Sequence, residues 1–244
     1  KGNNNNIEYA YTKDRQIKSY KEWMRMKKKN KEVNLIKVEN FLNYQEKVET
    51  KGNTFQKLMV IYQMAIKELE TKLEILKEEF KVFYDYDLID HINTRVKRPE
   101  SIITKMSKKG YELTYKNMIE NINDIAGIRI ITPIIKDIFT VKKLIAKIPG
   151  IKVLKEKDYV TKPKESGYSS YHMIIEVPVT LSKEIMYVKV EVQIRTMAMD
   201  FWASLEHKMK YKGKGQITRK QSKDLVAYAK IINKLDGKIM LMRE

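Results

Sequence analysis

Tyr187–Arg195, YVKVEVQIR, carries an acid, an amide and two bases at alternate positions. Val188, Val190, Val192 and Ile194 fill the positions between them. This period of two, built on β-branched residues, predicts a strand with one face in a core and Lys189, Glu191, Gln193 and Arg195 on the other. A second acid, Asp124, stands just ahead of the apolar run Ile128–Ile131. If the two strands are neighbours, Asp124 and Glu191 face one space. Paired carboxylates of this kind hold Mg²⁺ against substrate phosphates, and one of them can take the proton of a hydroxyl. The competing reading is that each acid pairs with a nearby base. Spacing alone does not choose.

Cations stand where phosphates would need them. Arg95, Lys97 and Arg98 precede Pro99, which fits the first turn of a helix running to about Lys109, with Lys105 inside it and Gly110 ending it. Exposed N–H groups at such a start add to the positive field. Arg129 lies within an apolar strand and must be paired or face a site. Arg95, Lys97, Lys105, Arg129 and Lys157 are a set suited to offset charge on a transferring phosphate. The loop Ser166-Gly-Tyr-Ser-Ser-Tyr-His, closed by His172, sets aromatic rings beside a flexible glycine, and an exposed ring there can stack on a nucleobase.

Other chemistries are excluded. There is no Gly-x-x-x-x-Gly-Lys-Ser/Thr loop and no Gly-x-Ser-x-Gly elbow. His91, His172 and His207 are too scattered for a zinc site. Cysteine is absent, so there is no disulfide framework, in keeping with a reducing, cytoplasmic setting. No apolar run approaches the roughly 18–20 residues that span a bilayer, and KGNNNN at the start lacks the apolar block of a signal peptide. Net charge is +18, from 49 Lys+Arg against 31 Asp+Glu. It implies an anionic partner or, more blandly, a lysine-rich solvated surface.

The positioning elements follow from periodicity. Residues 1–6 read as disordered, Thr12–Lys31 as a basic amphipathic helix and 32–50 as a second charged helix, broken at Lys51-Gly52-Asn53. Thr54–Phe83 is the clearest helix. Its stripe is Phe55, Leu58, Tyr62, Ile66, Leu69, Leu73, Leu76, Phe80 and Phe83, with Thr54 as N-cap. A short helix ends near Ile122, Lys136–Ile148 is helical, and Ile151–Tyr159 and Tyr171–Val177 read as strands with a connection at Pro178–Glu184. Helices follow at about 196–211 and 218–242, the last with a stripe of Leu225, Tyr228, Ile232, Leu235, Ile239 and Met242. The sum is an α+β domain with a mixed sheet of about five strands flanked by helices. The expected division is a charged extension at 1–53, a long helix at 54–89, a core at 90–212 and a C-terminal helix at 213–244.

RVKRPESIITK, NDIAGIRI, KDYVTKPKESGYSSYH and VEVQIRTMAMDFWASLEHKMKYK, in this order, resemble the synthetase domain of the RelA/SpoT homologues, above all the small alarmone synthetases. The resemblance spans about Ile92–Tyr211. It implies a nucleotidyltransferase-like fold and transfer of the β,γ-pyrophosphate of ATP to the 3′-hydroxyl of GDP or GTP, giving (p)ppGpp and AMP. Carried over, Arg95, Lys97, Ser101, Lys105 and Arg129 would hold ATP. Asp124 and Glu191 would bind Mg²⁺, and Glu191 would activate the hydroxyl. Tyr168 would stack on guanine, with Lys157, Lys164, His172 and Gln193 lining the acceptor site. Relatives often carry Arg where this chain has Ser169, which implies a lost cation near the acceptor. The chain has no His-Asp dipeptide of the family's hydrolase, so synthesis without degradation is expected. Homotetramers packed through terminal helices, with (p)ppGpp or single-stranded RNA as regulators and no membrane partner, are also implied. The alternative class is a basic module that binds single-stranded RNA without catalysis.

Overall fold

The structure is a computed structural model that describes residues 35–37, 51–182, 184–212 and 218–242. The disorder expected at 1–6 and the helix expected over Thr12–Lys31 lie outside the described residues. Within 32–50, Leu35–Lys37 is a short strand (β1) and not part of a helix, in line with the β-branched residues Val33, Ile36 and Val38 in that stretch.

Helix α1 runs from Lys51 to Tyr84. It starts before Thr54, so Thr54 is not an N-cap; it is buried, and its Oγ1 finds no partner. The predicted stripe is buried at Leu58, Tyr62, Ile66, Leu69 and Leu73 and half-buried at Phe55, Leu76 and Phe80, but its last member, Phe83, is 78% exposed.

Five of the sheet's six strands follow one another in the order β2 (His91–Val96), β3 (Ala126–Thr132), β6 (Ile185–Thr196), β5 (Tyr171–Thr180), β4 (Lys152–Asp158), and β1 pairs with β6 off this path. Along the path β3 and β6 are parallel and the other pairs antiparallel. β2 carries no period-2 apolar pattern because it is an edge strand with mostly exposed side chains. β5 extends past Val177 through Pro178, which faces Tyr187 on β6. The pairing with β4 ends at Glu176, so the missing N–H of Pro178 has no further strand to serve on that flank. The turn to β6 is therefore tight, closed by the Leu181 N–H on the Glu184 carbonyl at 2.8 Å.

One sheet face is core. Ile128, Ile130, Met173, Ile175, Val188, Val190, Val192 and Ile194 join the α1 stripe and Ile138, Val141 and Ile145 of α4 (Ile135–Lys147) in one cluster. Burial of each such side chain is worth about 1.5–3 kcal/mol. The other face follows from the register. One row crosses all five strands as Arg95, Gly127, Glu191, Ile174 and Lys155; the next as Asn93, Arg129, Gln193, His172 and Lys157. Charged and polar groups far apart in the chain are thus brought side by side.

Helices α2 (Pro99–Lys108) and α3 (Tyr115–Asn121) connect β2 to β3. Thr114 caps α3 by accepting the Asn117 N–H. α5 (Met197–Lys212) follows β6 directly, and α6 is Arg219–Met242. The buried side of α6 follows the predicted stripe only in part: its Leu225 is buried and its Ile232 packs on the same cluster. Leu225, Ala229 and Asp236 are buried, whereas Tyr228, Leu235 and Met242 are 48%, 50% and 87% exposed. Beside Leu225 the docking face uses a small residue and a hydrogen-bonded carboxylate, which an apolar period does not register.

Candidate active site

Asp124, in the turn before β3, accepts ion pairs from Lys97 Nζ on Oδ2 and Lys105 Nζ on Oδ1, each at 2.8 Å. β2 ends just before Lys97 and α2 presents Lys105, so the elements around Pro99 deliver both ammoniums. Burial pushes the Asp124 carboxyl up, but Lys105 and Lys97 outweigh it and hold it below the usual carboxylate range.

Glu191, central on β6, has both oxygens engaged. Oε2 accepts Gln193 Nε2 at 3.0 Å, and Oε1 lies 3.5 Å from His172 Nδ1. Two chains converge on it from Arg195. Arg195 Nη2 donates to Gln193 Oε1 at 2.9 Å and to the Tyr168 hydroxyl at 2.6 Å. With that oxygen already accepting, Tyr168 O–H can donate to His172 Nε2 at 2.8 Å, which leaves the ring proton on Nδ1, facing Glu191. Burial raises the Glu191 pKa and Asp124 adds to that, yet the His172 contact, with help from Gln193, keeps it below the ordinary value. The repulsion from Asp124 places the two acids in one field.

Arg195 is itself buried, and Asp200 in the first turn of α5 compensates it at 3.0 Å while also pairing with Arg129 at 3.2 Å. Removing that carboxylate strands a buried guanidinium. Asp200→Ala is expected to lower stability by about 2–4 kcal/mol, read as a fall in the denaturant midpoint at unchanged m-value.

Two hollows flank Glu191, which lines both. The smaller, about 120 Å³, has Arg95, Gly127, Arg129 and Gln193 in its wall; the lack of a side chain at Gly127 opens its floor. The larger, about 370 Å³, adds Asp124, Lys105, Lys157, Tyr159, Lys164 and His172. The predicted residues therefore gather round one acid, with exceptions in detail. Ser101 is exposed in the first turn of α2 and lines neither hollow. Gln193 lies on the Arg95–Arg129 side. Tyr168 is half-buried beside the larger hollow's His172, Tyr159 and Lys164 without being part of its wall, with Lys164 Nζ 4.8 Å and Arg195 5.1 Å from its ring centroid. Tyr159 and Asp200 were missed. Tyr159 follows a strand of exposed residues and gives no pattern; Asp200 had one available signal, an acid in a helix's first turn.

The profile described as "Region found in RelA / SpoT proteins" matches residues 94–216. GTP pyrophosphokinase YwaC of Bacillus subtilis is 40% identical over 82% of this chain and 95% of its own. The crystal structure of small alarmone synthetase 2 from B. subtilis aligns with TM-score 0.71 at 39% identity, over 78% of this chain and 97% of that one. Small alarmone synthetase 1 of the same organism, solved with its product pppGpp, aligns with TM-score 0.72 at 34% identity over 78% and 96%.

The chain belongs to the RelA/SpoT family.

The RelA/SpoT region holds every residue of the two polar rows except Asn93, together with Asp124, Lys97, Lys105 and Asp200. The implied loss of an acceptor-side cation at Ser169 takes a different form in this RelA/SpoT domain. Ser169 is buried and donates its hydroxyl to the Tyr159 carbonyl at 2.9 Å. Its side chain is turned into the protein.

Proposed function

We infer that the chain is a GTP diphosphokinase, transferring the β,γ-pyrophosphate of ATP to the 3′-hydroxyl of GDP or GTP with release of AMP. One observation carries this: Glu191 is the shared wall of two cation-lined hollows, as a transfer between two nucleotides requires. Arg95 and Arg129 of the smaller hollow, with Lys105 of the larger and Lys97 beside it on Asp124, would hold the donor triphosphate. Lys157, Lys164 and His172 would face the acceptor, with Tyr168 and Tyr159 as rings for guanine. The 3′-oxygen attacks the β-phosphorus of ATP, the bond to the α-phosphate oxygen breaks, AMP leaves, and the hydroxyl proton passes to Glu191. Positioning and cation stabilisation carry the acceleration.

The donor set fits Mg²⁺. Among the described residues no cluster of three or more His, Cys, Asp or Glu could hold a metal, but Mg²⁺ is held by one or two carboxylates plus substrate phosphates. Asp124 and Glu191 would supply those oxygens, and the ion would add charge stabilisation at the phosphates. An arriving triphosphate competes for Lys97 and Lys105, freeing Asp124 for that role.

The exposed apolar side of α6 and the outer face of α1 would serve a homotetramer, and (p)ppGpp or single-stranded RNA would act as regulators. The core at 90–212 with helical flanks is part of this reading. Among the described residues no helix is long and apolar enough to cross a membrane; we place the protein in the cytoplasm. RNA binding without catalysis finds no support among the relatives.

Incubation with ATP, GDP and Mg²⁺ should yield AMP and a guanosine tetraphosphate in equal amounts by chromatography. Release of ADP or pyrophosphate with no new guanosine species refutes the assignment. Tyr168→Ala should raise the acceptor KM about 10-fold or more, the worth of one base–aromatic stack, and leave the ATP KM within about twofold. Equal shifts in both would remove Tyr168 from guanine recognition.

A further inference from the structure

The loop that carries Tyr168 does not rest on the main core. Gly167 adopts φ +90°, and a β-carbon there would stand 2.4 Å from Ala229 Cβ and 3.4 Å from the Trp202 ring. The loop backbone is therefore pressed directly against α6 at Ala229. Trp202, Ala203, Leu225 and Ala229 form a second hydrophobic cluster, separate from the main one, with Tyr168 and Ile232 packed on it. Trp202 Nε1–H donates to the Leu225 carbonyl of α6 at 2.9 Å, and its ring meets Tyr168 edge-on at 6.5 Å. About two helical turns beyond Ala229 on α6, buried Asp236 accepts the Thr196 hydroxyl at 2.6 Å. Thr196 follows Arg195, whose guanidinium grips the Tyr168 hydroxyl. Helix α6 thus holds Tyr168 at two points: through the backbone just before it, and through the residue beside its hydroxyl's partner.

We propose that α6 positions the acceptor-binding loop, and that Ala229 and Asp236 are positioning residues for the guanosine nucleotide. The proposal rests on the acceptor assignment above. The helix lines neither hollow, so it reaches the acceptor site through Gly167, Trp202 and Thr196. The small satellite cluster is the sort of unit that shifts without the main core unfolding. A side chain larger than alanine at position 229 extends from a β-carbon that already lies 2.4 Å from where a Gly167 β-carbon would stand, and so displaces the loop.

The test is direct binding by calorimetry, with GDP and with a non-hydrolysable ATP analogue, on wild type, Ala229→Leu, Ala229→Gly and Asp236→Ala. Ala229→Leu should weaken GDP about 10-fold or more and the ATP analogue by less than about twofold. Ala229→Gly, which keeps the clearance, should bind GDP like wild type, and Asp236→Ala should weaken GDP selectively but less. A folded Ala229→Leu with unchanged GDP affinity, or with equal loss for both nucleotides, overturns the proposal. Should Ala229→Leu fail to fold, Asp236→Ala decides by the same split. Wild type that binds the ATP analogue but no guanosine nucleotide would overturn the acceptor assignment itself, and this proposal with it.

Discussion

Glu191→Gln is expected to abolish synthesis: AMP and guanosine tetraphosphate formation fall by about 10³-fold or more, while the melting temperature stays near that of wild type. The glutamine keeps the shape and one carbonyl oxygen. It cannot take a proton or contribute charge to a cation, and its amide meets Gln193 Nε2 or His172 where an acceptor stood. Glu191 sits at the junction of both hollows, so no neighbouring carboxylate in the same position can replace it. Of the other acids of the larger hollow, Asp124 is committed to Lys97 and Lys105, and Glu156 pairs with Lys142. Because the Glu191 pKa is lowered, the wild-type carboxylate is ionised throughout the neutral range, and raising the pH should not rescue the variant. A Glu191→Gln protein that turns over within about tenfold of wild type would remove Glu191 from the chemistry.

Asp124→Asn is the second large effect, of a different kind. It leaves Lys97 and Lys105 facing each other without the carboxylate that neutralises both, which should cost about 2–3 kcal/mol of stability. The same two ammoniums become available to a triphosphate. The expected signature is a kcat fall of about 10²-fold or more, a KM for ATP unchanged or lowered, and a higher Mg²⁺ concentration for half-maximal rate. Stability, followed by chemical denaturation, separates the cost of two unpaired lysines from the loss of a metal ligand. A variant that is merely less stable, with wild-type kcat and Mg²⁺ dependence, would leave Asp124 a structural counter-ion only.

The sequence was informative where local pattern reports burial. The alternation in Tyr187–Arg195 placed Glu191, Gln193 and Arg195 on one face and four aliphatic residues on the other, as β6 has them. The α1 stripe did the same at the helical period. Four motifs in order pointed to the family, because each preserves a residue type at a fixed local spacing. Where burial is not periodic, the sequence was silent or misleading. β2 is an exposed edge, β5 runs through a proline, and α6 docks with an alanine and an aspartate beside Leu225 while Tyr228, Leu235 and Met242 of its stripe stay exposed.

The division into two hollows was beyond any local pattern. It exists because β3 lies parallel to β6 with Gly127 opposite Glu191, and β5 lies antiparallel on the other side with His172 opposite Gln193. Period and propensity act between residues a few positions apart and so determine which side chains leave each strand on the same face. Which strands become neighbours, and in what register, is settled by contacts between segments tens of residues apart, and it is there that His172 and Gln193 meet Glu191 and Asp124 comes to line the same hollow.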